Sequence, residues 1–131
     1  MRGKVALIFC CLFGVLGGCS SRVYMIIRND GYSDLAVLSN HYDYELINVA
    51  PGGEGEAIIY FDCFRVRYEG VVYELEPALS SRSYIRSGVF SSYIYAAFTE
   101  GKGVSVYPDE GRKSGGIVFR NKDCSRLIER H

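Results

Sequence analysis

The chain has 131 residues, with 15 Lys and Arg against 15 Asp and Glu, so it carries no formal net charge at pH 7. That balance, without a basic stripe anywhere along the chain, excludes a nucleic-acid binder held by phosphate neutralisation. The length suits one domain built around one core.

The first element stands apart from that core. Arg2 and Lys4 precede an uncharged apolar run from Val5 to Leu16. A basic start, a short apolar stretch and small residues before a cut form the layout of an export signal. The run falls short of the roughly 20 residues that a membrane-spanning helix needs. It ends in Leu16-Gly17-Gly18-Cys19, which resembles the lipobox of bacterial lipoprotein precursors.

The resemblance implies that the Cys19 thiol receives a diacylglyceryl group and that residues 1–18 are removed as a signal helix. The freed amine of Cys19 is then acylated, by a chain such as palmitate, and the lipid bilayer becomes a partner through acylated Cys19. Ser20 follows directly, and it is not the aspartate associated in Gram-negative bacteria with retention at the inner membrane. The resemblance therefore implies an envelope protein at the outer membrane, facing the periplasm. Removing the leader takes Arg2 and Lys4 with it, which leaves 113 residues with 13 basic and 15 acidic side chains. Residues 19–22 are the lipidated end and tether. Only Ser20, Ser21 and Arg22 lie between Cys19 and the first strand, a reach of about 10 Å.

Residues 23–131 read as a single domain. Helical periodicity is almost absent, and short runs of β-branched and aromatic residues alternate with Gly, Asn, Asp and Pro. Strands are predicted over Arg22–Arg28, Leu35–Ser39, Tyr44–Val49, Glu56–Tyr68, Val71–Glu76, Val89–Thr99, Val104–Tyr107 and Ile117–Arg120. The long Glu56–Tyr68 run is either one strand bent near Asp62 or two strands sharing a corner. Cys124 to His131 has a helix-like spacing and forms a short tail. The fold class is all-β: a small sandwich, or partly open barrel, of about 7–8 mostly antiparallel strands.

One hairpin can be written residue by residue. Glu69-Gly70 is a two-residue loop with glycine where a positive φ is needed. It sets Tyr68 opposite Val71, Val66 opposite Tyr73 and Phe64 opposite Leu75 on one apolar face. The other face pairs Arg65 with Glu74 and Arg67 with Val72. A one-residue slip would turn the apolar set outward, so both faces fix the same register. A second hairpin, Ile94–Thr99 with Val104–Tyr107, mixes Ala, Ser and Tyr and lies either at an edge or under cover on both sides. The eleven tyrosines fill core and rim, since the ring can be buried while the hydroxyl reaches water.

Cysteine parity agrees with export. Cys10 and Cys11 leave with the leader and Cys19 is consumed by lipid, so Cys63 and Cys124 remain as an even pair in an oxidising compartment. A disulfide between them closes a loop worth roughly 4 kcal/mol on the chain-entropy model.

Residues for catalysis are thin. His41 sits in a polar turn, no Gly-x-Ser-x-Gly elbow occurs, and two distant histidines make no zinc set. Asp30-Gly31 and Asp109-Glu110-Gly111 lack the alternating oxygens of a calcium loop. Pro51-Gly52-Gly53-Glu54-Gly55 leads into a strand, whereas a phosphate-cradling loop opens a helix. The chain is read as a non-enzyme with no cofactor and no metal. Pro77 to Thr99 contains no acid but holds Arg82 and Arg86, in a connection rich in Ser, Tyr, Arg and Gly. Such residues supply adaptable recognition loops, so Arg82, Tyr84 and Arg86 are the candidate contacts to an anionic protein surface or cell-wall polymer. The expected role is a binding or assembly module docking another envelope component. The alternative is an inhibitor of an envelope-attacking hydrolase such as lysozyme, with acidic contacts from Asn40–Glu45 or Pro108–Glu110.

Overall fold

The computed structural model describes residues 23–40, 42 and 44–124. The leader, Cys19, His41 and the tail after Cys124 lie outside the described residues. Eleven strands follow in chain order: β1 (Val23–Asn29), β2 (Leu35–Leu38), β3 (Glu45–Val49), β4 (Glu54–Ile59), β5 (Phe64–Tyr68), β6 (Val71–Glu76), β7 (Arg86–Ser87), β8 (Ser92–Thr99), β9 (Gly103–Tyr107), β10 (Ile117–Val118) and β11 (Arg120–Asn121). A 3-10 turn, Leu79–Tyr84, lies between β6 and β7. The number exceeds the predicted eight because two predicted strands, Glu56–Tyr68 and Ile117–Arg120, each divide into two, and because two-residue β7 is too short to leave a hydrophobic period.

The strands form two sheets and no closed barrel. One runs β10-β9-β8-β1-β4 with β7 paired to β8, and the other runs β11-β6-β5-β2-β3. β1 shows why they stack. Its side chains alternate between buried and half-buried, so Val23, Met25, Ile27 and Asn29 point one way, as the two-residue strand period requires. Met25, Ile27, Ile94 and Phe98 meet Leu35, Val37, Val66 and Tyr68 from the facing sheet. Each fully buried aliphatic or aromatic side chain there stabilises the fold by roughly 1.5–3 kcal/mol.

The long predicted strand divides at Tyr60–Cys63 into β4 and β5, which belong to different sheets. The corner is tied by the Cys63–Cys124 disulfide, with an S–S length of 2.05 Å and Cα atoms 6.0 Å apart. Both cysteines are fully buried. The last strand also divides. β10 pairs with β9 and β11 with β6, while buried Phe119 sits at the crossing and donates its N–H to Val104 O at 2.9 Å.

The β5–β6 hairpin has the predicted register at all five pairs. Its faces depart from the prediction at one end. Phe64, Val66, Tyr68 and Leu75 are buried, but Val71 and Tyr73 are exposed: β6 lies toward the side of its sheet, and Tyr73 keeps a tilted contact with Phe98 of the facing sheet, ring centroids 6.4 Å apart. Arg65 is buried instead, paired with Glu74 at 3.4 Å and donating to Ser39 O at 3.3 Å. For the second hairpin the covered alternative holds. β8 lies between β1 and β9, and Ala96, Ala97 and Phe98 are all buried.

One pairing has no local signature. β1 and β8 run parallel, with Val23 beside Ser92 and Asn29 beside Phe98. This divides the sandwich into two ends. The far end carries the turns after β1, β3, β5 and β8. The near end carries Val23, the β4–β5 corner, the 3-10 turn and the β7–β8 connection.

Candidate functional site

The Pro77–Ile85 connection is built, not open. Ser81 and Ser83 donate their hydroxyls to Ala78 O at 2.5 Å and Ser80 O at 2.9 Å, the local side-chain bonding that short helical turns favour. The three predicted contact residues have structural partners. The Arg82 guanidinium lies 4.4 Å from the centroid of the Phe61 ring. Tyr84 Oη donates to Gly115 O at 2.6 Å. Arg86 donates through Nε at 3.1 Å, and also through Nη2, to Pro108 O. Tyr84 and Arg86 do share a polar groove of about 410 Å³ with Ser83, Ser87, Tyr93 and Pro108. Arg82 does not line it.

The other predicted features resolve into turn chemistry. Asp30 pairs with Arg28 at 2.7 Å, and this hydrogen bond holds the guanidinium above its ordinary pKa. Asp109 Oδ1 accepts from Arg112 N at 3.2 Å, and Gly52 takes a positive φ of 77° in the β3–β4 turn. Among the described residues, no group of three or more His, Cys, Asp or Glu side chains converges as metal ligands. Cys19 and His41 fall outside those residues.

Sequence reading missed Arg112, whose side chain is almost wholly enclosed. It donates to Ala96 O at 2.8 Å, Ile26 O at 3.0 Å and Glu110 O at 2.8 Å, and pairs with Glu54 at 2.9 Å. Its guanidinium also lies 5.2 Å from the Tyr95 ring centroid. Desolvation, with Tyr93 and Glu110 adding, holds the Tyr95 hydroxyl above its ordinary pKa. A buried charge with this many partners is a clasp across β1 and β8.

The second missed feature is an aromatic groove of about 500 Å³, lined by Tyr24, Tyr42, Tyr44, Leu46, Glu56 and Tyr60 among others. It opens where β3 and β4, each the last strand of its sheet, lie side by side. Tyr42 and Tyr44 stack with ring centroids 5.8 Å apart. Tyr42, Tyr44, Leu46 and Tyr60 are exposed. A signal existed in the alternation Tyr42-x-Tyr44-x-Leu46, a spacing that gathers large side chains on one side where the chain is extended, although of the three only Leu46 lies in β3. Their convergence with Tyr24 and Tyr60 depends on three strands meeting, which no local pattern carries.

No family model matches the chain, and neither a curated protein nor a solved structure matches it. The functional reading therefore rests on its own residues. Among the described residues, the aromatic groove offers stacking area, hydroxyls at its rim and the Glu56 carboxylate. This arrangement suits recognition.

Proposed function

We propose that this chain is a lipid-anchored, non-catalytic docking domain of the bacterial envelope, attached through Cys19 and engaging another envelope protein through the aromatic groove. The observation that carries the docking role is the gathering of Tyr24, Tyr42, Tyr44 and Tyr60 along one opening. Tyrosine supplies broad, rigid contact at low entropic cost and keeps a hydrogen-bonding tip. The flanking strands are edges, so an extended partner segment gains backbone pairing as well as ring contact. The anchor supports the same picture: a tether of about 10 Å holds the domain against the bilayer, and the groove opens at the end where the chain enters. In this reading Arg82, Tyr84 and Arg86 serve the fold, and recognition passes to the groove.

A photoreactive amino acid placed at Tyr44 or Tyr60 in living cells tests the docking role. Discrete adducts with an envelope protein are expected from both positions and none from Val72, which is exposed on β6. Identical patterns from all three positions, or no adduct, would overturn it. Metabolic palmitate labelling that is lost in Cys19→Ala is the expected result for the anchor. An unlabelled native chain sinks that part.

One observation favours the inhibitor reading. Glu56 and the segment around Asn40, Tyr42 and Tyr44 border the same groove, so a cationic hydrolase would meet an acid there. An adduct with a secreted hydrolase would select this second reading.

A further inference from the structure

The β7–β8 connection is a tight hairpin with unusual residues at its tip. Ser87 pairs with Ser92, and Gly88 N donates to Ser91 O at 2.7 Å. Val89 and Phe90 are thus the two central residues of a two-residue turn. Neither takes a positive φ, so the backbone leaves the choice of side chain open. Here the turn holds a β-branched residue and a phenyl ring, at 90% and 89% exposure. Gly88 keeps the hairpin closed, since a Cβ there would lie 2.7 Å from Ser91 O. Neither turn geometry nor core packing accounts for two apolar side chains projected into water.

Their position supplies the reason. β1 and β8 are parallel, and Val23 stands beside Ser92, about 4.8 Å away at strand spacing. The tip lies two residues before Ser92, so it projects from the end of the sheet at which the chain enters. Leu79, 71% exposed, lies in the 3-10 turn that precedes β7. From Pro77 to Thr99 the chain has no acid, while Arg82 and Arg86 stand on the same connection; from outside it, Asp62 in the β4–β5 corner, Glu76 at the end of β6 and Asp109 just after Pro108 also stand at this end. Apolar side chains at a tip beside the tether form the pattern of an interfacial membrane contact.

We infer that the Val89–Phe90 tip inserts into the acyl boundary of the membrane that holds the chain, giving the domain a second attachment and a fixed orientation. The inference rests on the anchoring reading above. The bilayer reached by a short tether is the occupant because the tether leaves the tip no deeper aqueous space to face.

The chain contains no tryptophan, which makes the test direct. Phe90→Trp introduces a single fluorophore at the tip, and Tyr32→Trp introduces one at an equally exposed site at the far end, where Tyr32 is 88% exposed. Each full chain is extracted from membranes in detergent and reconstituted into phosphatidylethanolamine–phosphatidylglycerol vesicles with brominated acyl chains. Phe90→Trp should shift to the blue and lose at least half its emission to bromine, and Tyr32→Trp should do neither. Co-sedimentation with vesicles but an unquenched tip, whether bare or shielded by a protein, overturns the insertion and leaves the anchor standing. Failure to co-sediment overturns the anchor and the insertion together. Equal quenching at both sites shows a domain lying without preferred orientation, which also overturns the inference.

Discussion

The two ends of the sandwich are finished differently. At the far end Asn29 and Tyr68 turn inward and find partners. Asn29 is fully buried; its Nδ2 donates to Ser33 O at 2.8 Å and Val49 O at 2.9 Å, and its Oδ1 accepts from Gly31 N at 2.9 Å. Tyr68 Oη accepts from Tyr32 N at 3.0 Å and Ser33 N at 3.3 Å, and donates to Glu100 at 3.2 Å. Gly31 is required there, since a Cβ would lie 2.7 Å from that hydroxyl oxygen. At the near end the disulfide holds the corner, yet Val89, Phe90 and the groove tyrosines face outward. Buried polar groups left unpaired are costly, so a closed end is what stability alone produces. In the docking reading proposed above, the end that exposes aromatic and apolar side chains is the one that makes contact.

Substitutions at each end sharpen that contrast. Cys63→Ala with Cys124→Ala should cost about 4 kcal/mol, read from the shift in a urea unfolding midpoint, because the bridged residues are 61 apart and the lost loop closure is large. Asn29→Ala should cost about 3 kcal/mol by the same measurement, since it strands a buried N–H and two carbonyls. Tyr68→Phe should cost about 1.5 kcal/mol, removing the hydroxyl while keeping the ring against Phe98, whose centroid is 4.6 Å away. Val89→Ser with Phe90→Ser should stay within about 0.5 kcal/mol of the parent. A large loss from that last pair would mean the tip packs into the fold, and the contrast between the ends would fail.

How much of this was legible in the chain depends on distance along it. The β5–β6 register could be read because Glu69-Gly70 joins neighbours and the Arg65–Glu74 pair agrees with the apolar set. The disulfide followed from parity among five cysteines. The parallel β1–β8 pairing could not be read, because nearly 70 residues intervene and either strand alternates equally well against any neighbour. The groove was hidden for the same reason, being assembled from β1, β3, β4 and the turn before β3. Arg82, Tyr84 and Arg86 looked available because serine-rich sequence resembles an open loop. Ser81 and Ser83 instead bond within a 3-10 turn, which directs those three side chains onto Phe61, Gly115 and Pro108.

The placement of β1 between β4 and β8 has a mechanical consequence. Under the anchoring proposed above, a tug on the domain away from its tether is delivered along the axis of β1. Both flanking ladders then carry the load in shear, and many bonds must yield together rather than peel one at a time. Had the opening strand been an edge, the same tug would have stripped it at low force.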